Sequence, residues 1–167
     1  NYTTYKRWFK LVQKDDEDIQ LPEGKVKKEL VNYVDSHEET ISQKVGIILE
    51  HFINKTSKTI GGRGRGMVVV RSRYHCVLFQ QEMKKQMKKL GLPYSCLVGY
   101  SGTIKLHGRE VTEDILNNEN GLVKGVSIPE GMKDPSYRIL IVSSKFQTGY
   151  DEPLLQSMFV DKKLNGV

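Results

Sequence analysis

Nowhere does the chain hold an apolar run near the ~18 residues that a membrane span requires, so an integral membrane protein is not expected. Cysteine is scarce. Cys76 and Cys96 each sit in apolar surroundings, which fits a reduced, buried pair in a cytoplasmic protein better than a disulfide framework or a metal site. The histidines, His37, His51, His75 and His107, show no zinc-like spacing with the cysteines, and His37 and His51 belong to helix faces. No Gly-x-Ser-x-Gly elbow and no paired Cys/His arrangement occurs, which removes support for a self-contained esterase or protease. Gly-Lys-Ser/Thr is also missing, and with it the Walker loop whose backbone N–H groups and Lys converge on phosphates. The first residues, Asn1 to Lys10, have neither an initiator Met nor the charged-then-apolar layout of a secretory signal. The chain is therefore expected to be cut from something longer.

What is present is the composition of about one globular domain: 167 residues, 38% hydrophobic, with fifteen Gly and five Pro. A net charge of +6 is compatible with an anionic partner without identifying one. Basic residues gather at Arg63, Arg65, Arg71 and Arg73 and again at Lys84, Lys85, Lys88 and Lys89, the latter reading as the solvated face of a helix. Asp15, Asp16, Glu17 and Asp18 form an acidic cluster near the start.

Apolar positions Val26, Leu30, Tyr33, Val34 and His37 line one helix face, and Ile41, Val45, Ile48, Leu49, Phe52 and Ile53 line a second, with Thr40 and Gln43 as its capping box. Residues 55–66 are Ser/Thr/Gly/Arg-rich and read as a flexible connector into the strand Met67 to Val70. Ser72 can cap a helix with the buried stripe Cys76, Phe79, Met83, Met87 and Leu90, closed by Gly91 and Pro93. A strand at Ser95 to Val98 then completes a βαβ unit over residues 67–98. Val111 and Leu116 flank a Thr112 cap like a hydrophobic staple, giving a short helix through about Asn117, and residues 118–137 read as a connector. The runs Ile139 to Val142 and Leu154 to Val160 predict two strands covered on both faces. This alternation predicts a doubly wound α/β sheet.

The loop between those last strands, Ser143 to Pro153, is the place to look for chemistry, since open α/β sheets bind ligands beyond the carboxyl ends of their strands. Thr148 and Gly149 could place a hydroxyl and a backbone N–H on one phosphate, and Asp151 could accept from a sugar hydroxyl or a cation; a strand-ending turn with an Asx bond needs no ligand. Ser72 and Arg73, at the strand-to-helix junction, put a hydroxyl, a guanidinium and helix N–H groups where they can grip a phosphate. They serve equally as an N-cap and a surface Arg, and spacing alone favours the cap. Gly99-Tyr100-Ser101-Gly102 follows the next strand and is expected on the same sheet edge; alone it is just a turn.

Three blocks carry a resemblance: Asn1 to Tyr5, Met67-Val68-Val69-Val70-Arg71-Ser72-Arg73, and above all Lys145 to Leu155 with Met158-Phe159-Val160-Asp161-Lys162-Lys163-Leu164. Together they closely resemble the restriction (R) subunit of type I restriction-modification enzymes, in its second RecA-like motor lobe, across essentially the whole chain. The resemblance implies a RecA-like, mainly parallel sheet flanked by helices, with residues 1–60 as a helical lead-in packed on the lobe and 61–167 as the lobe, truncated before motif VI. It implies a cytoplasmic ATP-dependent motor that translocates duplex DNA and is coupled to endonucleolytic cleavage. ATP and Mg²⁺ would be held mainly by the first motor lobe of the same parent chain, which these residues do not include, and duplex DNA and the modification and specificity subunits would be its partners. Ser72 and Arg73 would correspond to helicase motif IV, Ser101 and Gly102 to a phosphate-contacting turn, and Thr148, Gly149 and Asp151 to motif V, with Gly149 and Asp151 also at the nucleotide cleft. No catalytic or metal-ligating residue is expected within the chain. The Gly-Gly-Arg-Gly-Arg-Gly run is richer in Gly and Arg than the family leads one to expect. The alternative is a self-contained doubly wound domain that binds a nucleotide or a partner protein.

Overall fold

The structure, a computed structural model, describes residues 34–106, 108–146 and 150–162. The chain divides into two compact units, Asn1–Asp35 and Ser36–Val167, and the elements described here belong to the second. Most of the expected helix from Val26 to His37, along with Thr148 and Gly149, lies outside the described residues.

Apart from the short turns Thr56–Lys58 and Thr59–Gly62 between the first helix and the first strand, the elements in order are α1 (Glu38–Asn54), β1 (Arg65–Val70), α2 (Arg73–Lys89), β2 (Ser95–Gly99), β3 (Ile104–Leu106), β4 (Arg109–Val111), α3 (Glu113–Glu119), α4 (Ile128–Gly131), β5 (Tyr137–Val142) and β6 (Leu155–Asp161). Strands β2, β5, β1 and β6 form one sheet in that order, every neighbouring pair parallel, and β3 pairs antiparallel with β4 in a separate hairpin. The architecture is therefore α/β, a parallel sheet flanked by helices, consistent with a RecA-like fold. The expected βαβ unit forms with β5 inserted between its two strands.

Alternation along the buried strands sends side chains to two cores. Val68, Val70, Cys96, Val98, Ile139 and Ile141 meet the apolar faces of α1 and α2, including Val45, Leu49, Phe52, Phe79 and Met83. Met67, Val69, Leu97, Leu140 and Val142 meet Leu122, Ile128 and Met132 on the other side. Each fully buried side chain of this kind contributes about 1.5–3 kcal/mol over its exposed state. Glu38 pairs with Lys85, and Ser42 donates to Glu82 at 2.8 Å, which ties α1 to α2.

The structure corrects several sequence expectations. Helix α1 starts before Thr40 because the His37 ring accepts from the Glu39 N–H at 3.4 Å, so Thr40 lies inside the first turn instead of capping it. Leu90 falls at the C-cap of α2, 55% exposed, beyond the reach of the core. Helix α3 runs on to Glu119, the connector 118–137 contains α4, and hairpin β3–β4 was not anticipated, its strands being only a few residues long. Among the described residues, strand β6 is covered on one face only. It is the sheet's edge, so Ser157, Phe159 and Asp161 face α1 and the turn after it, through Thr56, His51 and Lys44, while Met158 and Val160 stay half exposed.

A correction concerns the ends of residues 55–66, where Thr56, Gly64, Arg65 and Gly66 are buried in the fold while 58–63 stay exposed. Thr56–Lys58 form a 3-10 turn, β1 begins at Arg65, and Arg138 from β5 donates to the Gly64 carbonyl at 2.7 Å and to the Ser57 carbonyl at 3.2 Å. The Arg138 guanidinium also lies over the Phe52 and Tyr94 rings, 5.9 and 5.4 Å from their centroids. A Cβ at Gly64 would stand 2.1 Å from both the Thr56 carbonyl oxygen and Thr59 Oγ1, which explains why this stretch needs glycine. Gly64→Ala is expected to destabilise the fold by about 1–3 kcal/mol, the range for forced overpacking, because one of the clashing atoms is backbone. A urea midpoint within error of the unsubstituted chain would refute that account of the turn.

Candidate functional site

Strand β1 ends at Val70, and the chain turns through Arg71 and Ser72 into α2. Ser72 is extended and its Oγ accepts from the His75 N–H at 3.3 Å, the N-cap expected from sequence. The same Oγ lies 2.8 Å from His75 Nδ1, and Arg71 Nε donates to His75 Nε2 at 3.2 Å. With Nε2 accepting, Nδ1 carries the proton and donates to Ser72. The Ser72 hydroxyl therefore accepts from His75 while its own proton is left to point elsewhere.

Two strands away, β2 ends at Gly99 and leads into Tyr100-Ser101-Gly102. Arg73 spans the distance: its Nη1 donates to the Ser101 and Thr103 carbonyls, each at 3.3 Å. Gly102 has φ +81°, and a Cβ there would come within 2.9 Å of Arg73 Nη1. The turn is thus shaped around the guanidinium. Ser72, Arg73, Ser101 and Gly102 share the carboxyl edge of the sheet, with Arg73, Ser101 and Gly102 exposed.

Between them, β5 ends at Val142 and the chain continues through Ser143, whose N–H donates to the Gly99 carbonyl at 3.0 Å. Lys145 pairs with Glu113 at the start of α3, and the other Glu113 oxygen accepts from the Tyr100 N–H at 2.7 Å. Sequence reasoning missed Glu113 and Lys145 as partners, since no periodicity links a helix start to a loop so far along the chain.

Asp151 is not brought to this edge. The loop after β5 begins at the carboxyl edge, but β6 runs parallel to its neighbours, so the chain has crossed to the amino edge before Leu155. There Glu152 pairs with Arg65, the first residue of β1, at 2.7 Å, with both side chains more than nine-tenths buried. Arg65 also donates to the Lys133 carbonyl at 3.2 Å, while Arg65 Nε and the Tyr150 hydroxyl have no hydrogen-bond partner among the described residues. Asp151 lies on the rim of a cavity of about 330 Å³ lined also by Arg65, Lys133, Tyr150 and Pro153. Sequence reasoning assigned Arg65 to a loop and so could not foresee this second location.

The two cysteines are free and buried, as the sequence led one to expect. Burial pushes the Cys76 thiol up to about 12, with the Glu113 charge adding to it, and burial also pushes the Cys96 thiol up to about 12. Neither is a nucleophile at neutral pH. No group of three or more His, Cys, Asp and Glu side chains placed to hold a metal ion occurs among the described residues. Both thiols are expected to resist a disulfide reagent at pH 8 in the native state and to react once the chain unfolds. Above the ordinary thiol value of 9.0 the unfolded chain loses protons that the folded chain keeps. Stability is therefore complete below that pH and falls as pH rises towards about 12, by about 1.4 kcal/mol per pH unit for each thiol. Flat stability between pH 9 and 11 would contradict this.

No protein-family model matches the chain. It is similar to the endonuclease subunits of type I restriction enzymes SauCOLORF180P, from Staphylococcus aureus strain COL, and SauMSSORF170P, from strain MSSA476. Each is 24% identical over 161 aligned residues, covering 81% of this chain and 17% of the relative. The chain thus spans about a sixth of the length of the curated relatives it matches. The similarity supports a relation to type I restriction endonuclease subunits. No helix among the described residues is long and apolar enough to cross a membrane.

Proposed function

We propose that this chain is the second RecA-like motor lobe of a type I restriction R subunit and contacts the phosphates of duplex DNA along the carboxyl edge of its sheet. The observation that carries this reading is the corner where Arg73 from β1–α2 clasps the turn after β2. It sets a hydroxyl, a guanidinium and exposed backbone side by side, the groups from which phosphate tracks are built. Ser72, Arg73, Ser101 and Gly102 would supply this track, with Thr148 and Gly149 adding the motif V contacts. In this reading the parent enzyme is an ATP-dependent DNA translocase coupled to endonucleolytic cleavage, with modification and specificity subunits as partners in the cytoplasm.

The residues of this chain do not fit an ATP·Mg²⁺ site by themselves. Gly-Lys-Ser/Thr is missing from the sequence, and Asp151 stands at the amino edge, apart from the Ser72–Arg73 corner. The phosphate cradle and the metal ligands would come from a first lobe, and a nucleotide-cleft role for Gly149 and Asp151 would require that lobe to approach them. The isolated chain is expected neither to hydrolyse ATP nor to cut DNA, because phosphoryl transfer needs the cradle and a held metal ion. ATP turnover above background that Asp151→Ala abolishes would show a complete enzyme.

The amino-edge cavity favours a second reading, a self-contained domain that binds a small nucleotide or a partner, since it offers an unpartnered Arg65 Nε and Tyr150 hydroxyl. Salt separates the two readings. Phosphate contacts release counterions, so the motor reading expects DNA affinity to fall steeply with salt, and Arg73→Ala to reduce the log–log slope by about 0.9 for one lost contact. Thr148→Ala in the intact subunit is expected to slow DNA-stimulated ATP turnover partially, since a single neutral contact is worth about 0.5–1.5 kcal/mol. Salt-independent ligand binding, unaltered by Arg73→Ala, would favour the second reading.

A further inference from the structure

Ser144 and Phe146 both have left-handed backbones, with φ of 57° and 60°, and Lys145 lies between them. Such a conformation is costly for residues other than glycine, most of all for a bulky one, and persists only where surrounding contacts hold it. The contacts here are specific. Lys145 pairs with Glu113 and lies 5.1 Å from the centroid of the Phe146 ring. That ring lies against Gly99, where an added Cβ would come within 3.1 Å of it, and it packs on Tyr150 at 5.1 Å between centroids. Glu113 in turn accepts from the Tyr100 N–H. One carboxylate therefore grips both the turn after β2 and the loop after β5.

We propose that Glu113 and Lys145 form a positioning latch that holds Ser143–Phe146 in its strained conformation against the Tyr100–Gly102 turn, fixing a turn that supplies part of the phosphate track and the loop beside it. Its significance for DNA rests on the motor reading above; the latch itself rests on these contacts alone. Thr148 follows Phe146 by two positions in the chain, so the register of the motif V residues would depend on where the latch leaves Phe146. The half-buried pair, with Glu113 at 16% and Lys145 at 32% side-chain exposure, is shielded enough for its charges to matter and open enough for the loop to be released. Lys145 is thereby a positioning residue and not a phosphate ligand.

The test compares Glu113→Gln, Lys145→Met, their double variant and Lys145→Arg. Gln keeps an acceptor for the Tyr100 N–H while losing the charge, and Arg keeps the ion pair. Amide hydrogen exchange of the chain is read first. Exchange at residues 143–146 should quicken about tenfold in Glu113→Gln and Lys145→Met, no further in the double variant, and return in Lys145→Arg. Unchanged exchange, or effects that multiply in the double variant, would overturn the latch whatever the function. In the intact subunit, DNA-stimulated ATP turnover should fall several-fold in the same pattern while the salt slope of DNA binding stays constant. A slope reduced by about 0.9 in Lys145→Met alone would make Lys145 a phosphate ligand and also overturn the proposal. If the unsubstituted subunit shows no DNA-stimulated turnover, the motor reading fails, and exchange alone decides the latch.

Discussion

Strands β5 and β6 run parallel on either side of β1, and most of what is particular to this molecule follows from that constraint. A chain leaving the carboxyl end of β5 must return to the amino end of β6, and the described residues on the way, 143–146 and 150–154, contain no helix. The loop begins against the Gly99 carbonyl and ends where Leu154 accepts from the Arg65 N–H at 2.7 Å. Residues that sit together in sequence are thereby distributed over opposite edges of the sheet. Ser143 to Phe146 belong with Ser72 and Arg73, whereas Tyr150 to Leu154 belong with Arg65. A reading that assigns the whole loop to one edge follows the rule for ligand sites but overlooks the return that parallel strands require.

The anchor of the returning end is the buried Arg65–Glu152 pair. Burying two charges is expensive, so a pair of this kind contributes little net stability over an apolar substitute, yet removing one partner leaves an uncompensated charge at a cost of about 3–5 kcal/mol. What the pair supplies is register, because it fixes where the loop meets the start of β1. Strand β2 at the other edge is managed differently. Asn117 of α3 both donates to the Val98 carbonyl and accepts from the Val98 N–H, each at 2.8 Å, so a side-chain amide takes the place of a neighbouring strand. Both devices join segments distant in sequence through polar groups.

That distinction explains what could be read from the sequence. The parallel sheet, the apolar faces of α1 and α2, the Ser72 and Thr112 caps and the buried cysteines are written in local spacing and apolar runs, and these were legible. Glu113 with Lys145, Arg65 with Glu152, Arg138 with the Gly64 turn and Asn117 with β2 were not, because each pairing is long-range and leaves no periodic trace. The glycine-rich run shows the difference plainly. Its composition reads as a flexible connector, while its actual use is a close approach of backbone that only the folded neighbours reveal.

The same long-range polar contacts alter what the net charge of +6 can mean. Arg65 and Arg138, both counted in that charge, donate to carbonyls of their own chain. Arg73 does so too, but with a difference of geometry. A guanidinium offers a planar fork of five N–H donors. Its Nη1 is taken by the Ser101 and Thr103 carbonyls, and the side chain is otherwise exposed at the carboxyl edge. The bonds it makes inward immobilise the guanidinium, so the entropy of ordering a long side chain is already lost before any anion arrives. An arginine held in this way serves the fold through Nη1 and keeps further N–H donors on an exposed side chain, and in the proposed motor reading those donors would meet a phosphate.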